Sequence, residues 1–281
     1  DEDALVQRLA PYDIVVAMRE RTAFTRQLIE RLPNLRLLVT TGPFNAAIDV
    51  KACQDQGILL SGTGGDRYGT SELTWSLILA CARHVPEEVA NVRSGSWMTT
   101  VGTDLHGATL GLCGLGQIGA MVANVGAAFG MNLIAWSQNL TDERAAECGA
   151  RRVTKEELFR QADFLTIHLV LSDRTRALVG EPELRAMKPT SWLINTSRGP
   201  ICDEDTLARA CEERWIAGAA IDAFGVEPLP DAHPFRKLPN VIPTPHIGYV
   251  TENCYRVFFK DVVEDIVSFL NGRPIRLITP R

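Results

Sequence analysis

No apolar run in this chain is long enough to cross a bilayer, so no transmembrane helix is expected. Positive charge is in deficit: 29 Lys and Arg against 34 Asp and Glu give a formal net charge of −5, and no nucleic-acid partner is expected. Residues 1–10 are acidic and amphipathic, which excludes a signal peptide there. The seven cysteines (Cys53, Cys81, Cys113, Cys148, Cys202, Cys211 and Cys254) are odd in number and contain no Cys-x-x-Cys. They predict free thiols in a reducing cytoplasm rather than a disulfide framework, and no metal site. Repeats and low-complexity tracts are missing too. What remains is ordinary globular material, 46% hydrophobic and 22% charged over 281 residues, enough for one large or two ordinary domains.

Strand-like and helix-like segments alternate. Strands are expected at 13–18, 35–40 and 58–61, with a helix at 22–32 capped by Thr22. Residues 62–69, four of them glycine, exclude regular structure; a helix capped by Ser71 follows to Arg83. Residues 91–108 read as an irregular hinge or arm. From 109 onward strands are expected at 109–113, 132–136, 164–168, 192–196, 217–221 and 241–242. Helices are expected at 118–129, 142–148, 154–161, 181–187 and 203–213, with a last one at 251–271. Such alternation predicts mostly parallel sheets covered on both faces. The first unit opens on a helix where such a half opens on a strand, so residues preceding Asp1 are expected. The five tryptophans (Trp75, Trp97, Trp136, Trp192 and Trp215) read as packing residues, and His84, His106 and His233 as surface or loop histidines.

The most specific local signal is Gly114-Leu115-Gly116-Gln117-Ile118-Gly119, set between an apolar strand and a small-residue helix. In a dinucleotide fingerprint the first glycine makes the turn and the second lets the backbone approach a pyrophosphate. The third lets helix and strand pack, with the helix N-terminus toward the phosphates. An acid some twenty residues on would mark NAD. Here the next strand ends in Trp136-Ser137-Gln138-Asn139, with no acid at its tip and no arginine nearer than Arg144, so NAD and NADP both stay open.

Three later segments carry candidate chemistry. Leu193-Ile194-Asn195-Thr196-Ser197-Arg198-Gly199 places an arginine at the carboxyl end of a strand, where open α/β sheets hold their sites; it would grip a carboxylate or form a surface ion pair. Asp222-Ala223-Phe224-Gly225-Val226-Glu227-Pro228 carries two acids. Pro243-Thr244-Pro245-His246-Ile247-Gly248 carries a histidine which, beside a carboxylate, becomes a general acid/base.

These motifs, in this order, resemble the D-isomer-specific 2-hydroxyacid dehydrogenase family, from about Val15 to Gly272. The resemblance implies two Rossmann- or flavodoxin-like doubly wound α/β domains with a cleft between them. Residues 1–75 plus 256–281 would form the substrate domain and 76–255 the dinucleotide-binding domain. It implies that Arg198 binds the substrate carboxylate, that His246 moves the proton and that Glu227 pairs with His246. Asp222 would hold the nicotinamide carboxamide. Gly114, Gly116, Gln117, Ile118 and Gly119 would take the pyrophosphate and Ser137, Gln138 and Asn139 the ribose; Thr196 and Gly248 complete the cofactor set. Arg19 is a second cation for the substrate or a surface arginine. Gly64, Gly65 and Asp66 lie in a loop whose N–H groups would face the substrate, and Glu72 is structural.

The implied activity is cytoplasmic, NAD- or NADP-dependent interconversion of a small 2-oxo acid and its D-2-hydroxy acid, in a homodimer built on the helix that begins near Ser71. Glyoxylate or hydroxypyruvate comes first as substrate and phosphoglycerate second. The rival is an NAD(H)-sensing, corepressor-like binding protein. Formate oxidation is disfavoured because the family's formate enzymes carry glutamine at the Glu227 position. The chain departs from the family pattern at Phe44, where a glycine is usual, at His168-Leu169-Val170-Leu171, which lacks a proline, and at Tyr249. Phe44 narrows a pocket or packs in a core; Tyr249 is a pocket wall or a surface residue. Cys202 is read as a bystander.

Overall fold

In a computed structural model the chain is described over residues 2–280. It divides into two compact units, Asp1–Asp66 with Val250–Arg281, and Arg67–Tyr249.

The first unit begins with α1 (Glu2–Leu9) and β1 (Ile14–Ala17), then α2 (Arg26–Glu30), β2 (Leu37–Thr40), α3 (Val50–Asp55) and β3 (Leu59–Gly62). Its sheet is parallel, in the order β1-β2-β3 among the described residues. Alternate residues of β2 serve opposite faces, as a period of two requires. Leu38 packs with Leu28, Ile29 and Cys53 from α2 and α3, whereas Leu37 and Val39 pack with Val262 of α11 (Glu252–Leu270).

Two local expectations need correction. Helix α2 starts at Arg26, and its cap is Thr25, whose hydroxyl accepts from Leu28 N–H at 3.2 Å; Thr22 ends a 3₁₀ turn at Arg19–Arg21 instead. Helix α3 stands where no helix was read.

The second unit begins with α4 (Tyr68–Ala82), which starts earlier than its sequence suggests. Ser71 lies inside it, donating back to the Tyr68 carbonyl, and caps nothing. Next comes α5 (Val85–Arg93), also unforeseen; its Pro86 sits in the first turn, where a missing N–H costs little. The irregular segment begins only after it. Trp97 there is 79% exposed and is no packing residue.

The chain then runs β4 (Thr109–Cys113), α6 (Gln117–Ala128), β5 (Asn132–Trp136), α7 (Asp142–Glu147), β6 (Arg151–Arg152), α8 (Lys155–Gln161) and β7 (Phe164–Ile167). It finishes with α9 (Glu181–Ala186), β8 (Trp192–Asn195), α10 (Glu204–Glu212), β9 (Gly218–Ile221) and β10 (Val241–Pro243). Among the described residues these strands form a seven-stranded sheet, ordered β10-β9-β8-β7-β4-β5-β6 and parallel at every pairing.

Both faces are covered, so the strands are near-continuous apolar runs. On one face Leu165, Leu193 and Ala219 pack with residues of α8, α9 and α10. On the other, Leu112, Phe164 and Ile194 pack with residues of α4, α6 and α7. Because every strand runs the same way, the residues that follow β4, β5, β7, β8, β9 and β10 all emerge at one end of the sheet.

Candidate active site

At that end the β4–α6 turn forms a cradle. Gly114 has φ +104°, which a side chain would strain. A Cβ at Gly119 would stand 2.2 Å from the Gly114 carbonyl oxygen, so only glycine lets α6 pack this close to the turn. A Cβ at Gly116 would meet nothing within 4 Å. Gly116 is also the N-cap of α6 and makes no side-chain capping bond, so the first-turn N–H groups stay open to an anion. A pyrophosphate fits this cradle. Gln117 is exposed and Ile118 half-buried against the core. After β5, Ser137 is half-buried in a turn closed by Leu140 N–H, while Gln138 and Asn139 are exposed.

The chemistry-bearing residues follow the neighbouring strands. His246 Nδ1 lies 2.7 Å from Glu227 Oε2. Glu227 Oε1 accepts from Phe224 N–H at 2.9 Å, so the carboxylate is fixed at both oxygens. Burial raises the Glu227 carboxyl, but the hydrogen bonds from His246 and Phe224 and the charges of His246 and Arg198 outweigh it and hold the group below its ordinary value. His246 is in the left-handed region at φ +54°, a conformation rare outside glycine and common where function fixes a residue.

Arg198 is brought to this loop by a close approach of backbones. A Cβ on Gly199 would lie 2.2 Å from the Phe224 carbonyl carbon. Asn195 clasps the same turn, donating to the Arg198 carbonyl at 3.0 Å and accepting from Ser197 N–H at 3.0 Å.

Asp222 has a task that its motif did not suggest. Its buried carboxylate accepts from the Thr244 hydroxyl at 2.6 Å and from the N–H groups of Ile247 and Gly248, each at 2.9 Å. It therefore holds the loop that presents His246, and the Gly248 N–H is committed to it. Burial raises its carboxyl against the pull of those donors. Thr196 shares a 2.8 Å hydroxyl contact with Thr74 of α4.

Two residues at which the chain departs from the family pattern lie close by. Tyr249 packs edge-on against the His246 ring, with centroids 5.6 Å apart, so it flanks the imidazole. His168 ends β7 behind the cradle: its carbonyl lies 2.8 Å from where a Gly114 Cβ would be. Its Nε2 is buried without a hydrogen-bond partner among the described residues, and burial lowers the imidazole to about 4. The buried Cys202 thiol is pushed up, which suits a bystander.

The loop candidates belong to the first unit. Arg19, at φ +49°, pairs with Glu20 and donates to the Thr41 carbonyl. The Gly64 N–H, expected to face a substrate, donates to Asp261 Oδ2 of α11 at 2.7 Å instead. Gly65 lies against Phe258, and Asp66 accepts from Asn253 at 2.7 Å. Phe44 is 51% exposed and so is not a core residue.

Comparison with known proteins shows what the chain is similar to. The profile of the D-isomer specific 2-hydroxyacid dehydrogenase NAD-binding domain matches residues 75–248. The chain is 40% identical over 256 residues to a glyoxylate reductase of Aeropyrum pernix, covering 88% of this chain and 76% of that protein. It is 36% identical over 278 residues to a D-3-phosphoglycerate dehydrogenase of Synechocystis, covering 98% of this chain but only 50% of that longer protein. A solved phosphoglycerate oxidoreductase of Vibrio cholerae superposes with a TM-score of 0.93 at 38% identity, over 97% of this chain and 88% of that one. A profile matched over residues 75–248 and a relative 40% identical over 88% of the chain show the family. The chain belongs to the D-isomer-specific 2-hydroxyacid dehydrogenases, nicotinamide-dependent oxidoreductases of CH–OH groups.

Proposed function

We propose that this protein reduces a small 2-oxo acid to its D-2-hydroxy acid, with glyoxylate or hydroxypyruvate the first substrates to test and phosphohydroxypyruvate, the 2-oxo partner of phosphoglycerate, the second. The observation that carries the reading is the 2.7 Å contact between His246 Nδ1 and Glu227 Oε2, beside the turn that bears Arg198.

When bound, the nicotinamide supplies the hydride to the carbonyl carbon. Arg198 grips the carboxylate of the 2-oxo acid and draws electron density from the adjacent carbonyl. Glu227 accepts the Nδ1 proton of His246, so the proton that moves is the one on Nε2. His246 gives it to the carbonyl oxygen as the C–H bond forms, and is reprotonated from solvent. The cradle from Gly114 to Gly119 would hold the pyrophosphate, and the Ser137–Asn139 turn the adenosine ribose. With no acid at that turn, either NADH or NADPH is accommodated. Asp222 keeps the His246 loop in place and is proposed to hold the carboxamide. Arg19 and the loop from Gly64 to Asp66 are proposed as substrate contacts of the first unit, through groups other than the Gly64 N–H, which Asp261 holds.

The seven buried thiols suit a reducing cytoplasm. A homodimer is proposed as well, on the exposed apolar face of α5. Oxidation of NADH and of NADPH, followed separately by absorbance over a panel of 2-oxo acids, tests the reading. Turnover with one of them supports it. Tight cofactor binding with no turnover on any 2-oxo acid would transfer weight to a nucleotide-sensing role.

A further inference from the structure

The loop that carries Glu227 is held by a second carboxylate from another element. Glu204 opens α10, directly after the N-cap Asp203. Its Oε1 accepts from Gly225 N–H at 2.7 Å. The preceding amide, Phe224 N–H, is the one that donates to Glu227 Oε1 at 2.9 Å. Two successive amides are thus each pinned by a carboxylate, one from the loop itself and one from a helix rooted in the core.

Glu204 is in turn steadied by His233. The His233 Nδ1 accepts from Phe235 N–H at 3.3 Å, which leaves the ring proton on Nε2, and Nε2 stands 3.8 Å from Glu204 Oε2. The His233 ring rests against the buried Phe235 ring, with centroids 4.7 Å apart. A Cβ on Gly225 would come 3.3 Å from Glu204 Oε2, so glycine lets the amide approach the carboxylate squarely.

We infer that Glu204, steadied by His233, is a positioning residue that sets where Glu227 presents its carboxylate to His246. The inference rests on the reading of Glu227 and His246 as the proton-moving pair. It follows from connectivity: Gly225 lies two residues before Glu227, and a shift of its amide swings the Phe224 anchor and the carboxylate together. A misplacement of that size is felt in the transition state rather than in cofactor binding.

The test is a series at one position: Glu204→Gln, Glu204→Asp and Glu204→Ala, with His246→Ala as control, each measured for kcat and for NADH affinity by fluorescence titration. Glutamine keeps an acceptor oxygen at the Gly225 amide. Aspartate keeps the charge but is one methylene too short to reach it. The expected order is near-parental kcat for Gln and a fall of about tenfold or more for Asp and Ala, with NADH affinity changed by less than about twofold in all three. If Ala does not fold, the Gln–Asp comparison decides. Asp at full activity, or Gln as impaired as Asp, overturns the positioning role while leaving the pair intact. Undiminished turnover in His246→Ala overturns the pair itself.

Discussion

Glutamate and histidine are commonplace side chains; what distinguishes Glu227 is that, against its own burial, the hydrogen bonds from His246 and Phe224 N–H and the charges of His246 and Arg198 hold its carboxyl below the ordinary value. Glu227→Gln retains a hydrogen-bond acceptor for Nδ1 but loses the anion that stabilises the protonated ring. We expect kcat to fall by roughly 10- to 100-fold with little change in cofactor affinity, since the loss concerns proton transfer alone. Unchanged kcat would remove Glu227 from the mechanism.

His168 makes a different prediction, for stability. Its imidazole ordinarily titrates at 6.5 and is lowered by burial to about 4, so the fold keeps it neutral. Between those values the unfolded chain binds the extra proton and the folded chain does not. Stability therefore falls as pH drops from 6.5 toward 4, by on the order of 3 kcal/mol, and the effect levels off below. Melting curves across that range should be flatter for His168→Leu; parallel curves for the two proteins would refute the assignment.

At this scale the ordered motifs made the contact between Glu227 and His246 legible in the sequence. The committed donors of Asp222, the Gly64 bond to Asp261 and the orphaned Nε2 of His168 were not, because each depends on a neighbour remote in the chain.

Elements were legible where burial is continuous. Leu193-Ile194 in β8 and Phe164-Leu165 in β7 are covered on both faces, and an unbroken apolar run between polar turns announces such a strand. The two-residue β6 is too short for any periodicity to register, and α3 buries only the adjacent pair Ala52 and Cys53, which carries no helical spacing. Helix α5 was hidden by Pro86, a sign of a break that instead marks a helix start. In sequence Thr22 reads as the cap, and tertiary context selects Thr25.

The choice is testable. Thr25→Ala should cost about 1 kcal/mol, the usual loss for an N-cap hydroxyl, and Thr22→Ala close to nothing. Urea denaturation of the two variants distinguishes them, and equal effects would mean that α2 does not depend on its Thr25 cap.

For the whole molecule, the question is what covers α5. Val85, Val89 and Val92 recur at helical spacing and all are exposed, as are Trp97, Met98 and, at 91%, Val101 in the segment that follows. Single exposed apolar residues are ordinary; a stripe continuing into an exposed tryptophan and methionine is the face the proposed homodimer would cover. Glu88 fixes that segment to the helix, accepting from the N–H and hydroxyl groups of both Thr99 and Thr100, so stripe and segment form one ordered face. The helix near Ser71, to which the resemblance assigns the dimer contact, buries eight of its residues within its own unit, whereas α5 has no buried residue. A second copy offering the same face satisfies both sides of a twofold interface at once. Sedimentation should then give twice the 30.9 kDa chain mass for the parent. Val89→Asp, which sets a charge in the middle of the stripe without touching the core, should give a folded single chain with an unchanged far-ultraviolet spectrum. A parent that sediments as one chain at micromolar concentration, or a Val89→Asp variant that stays paired, would place the interface elsewhere or remove it.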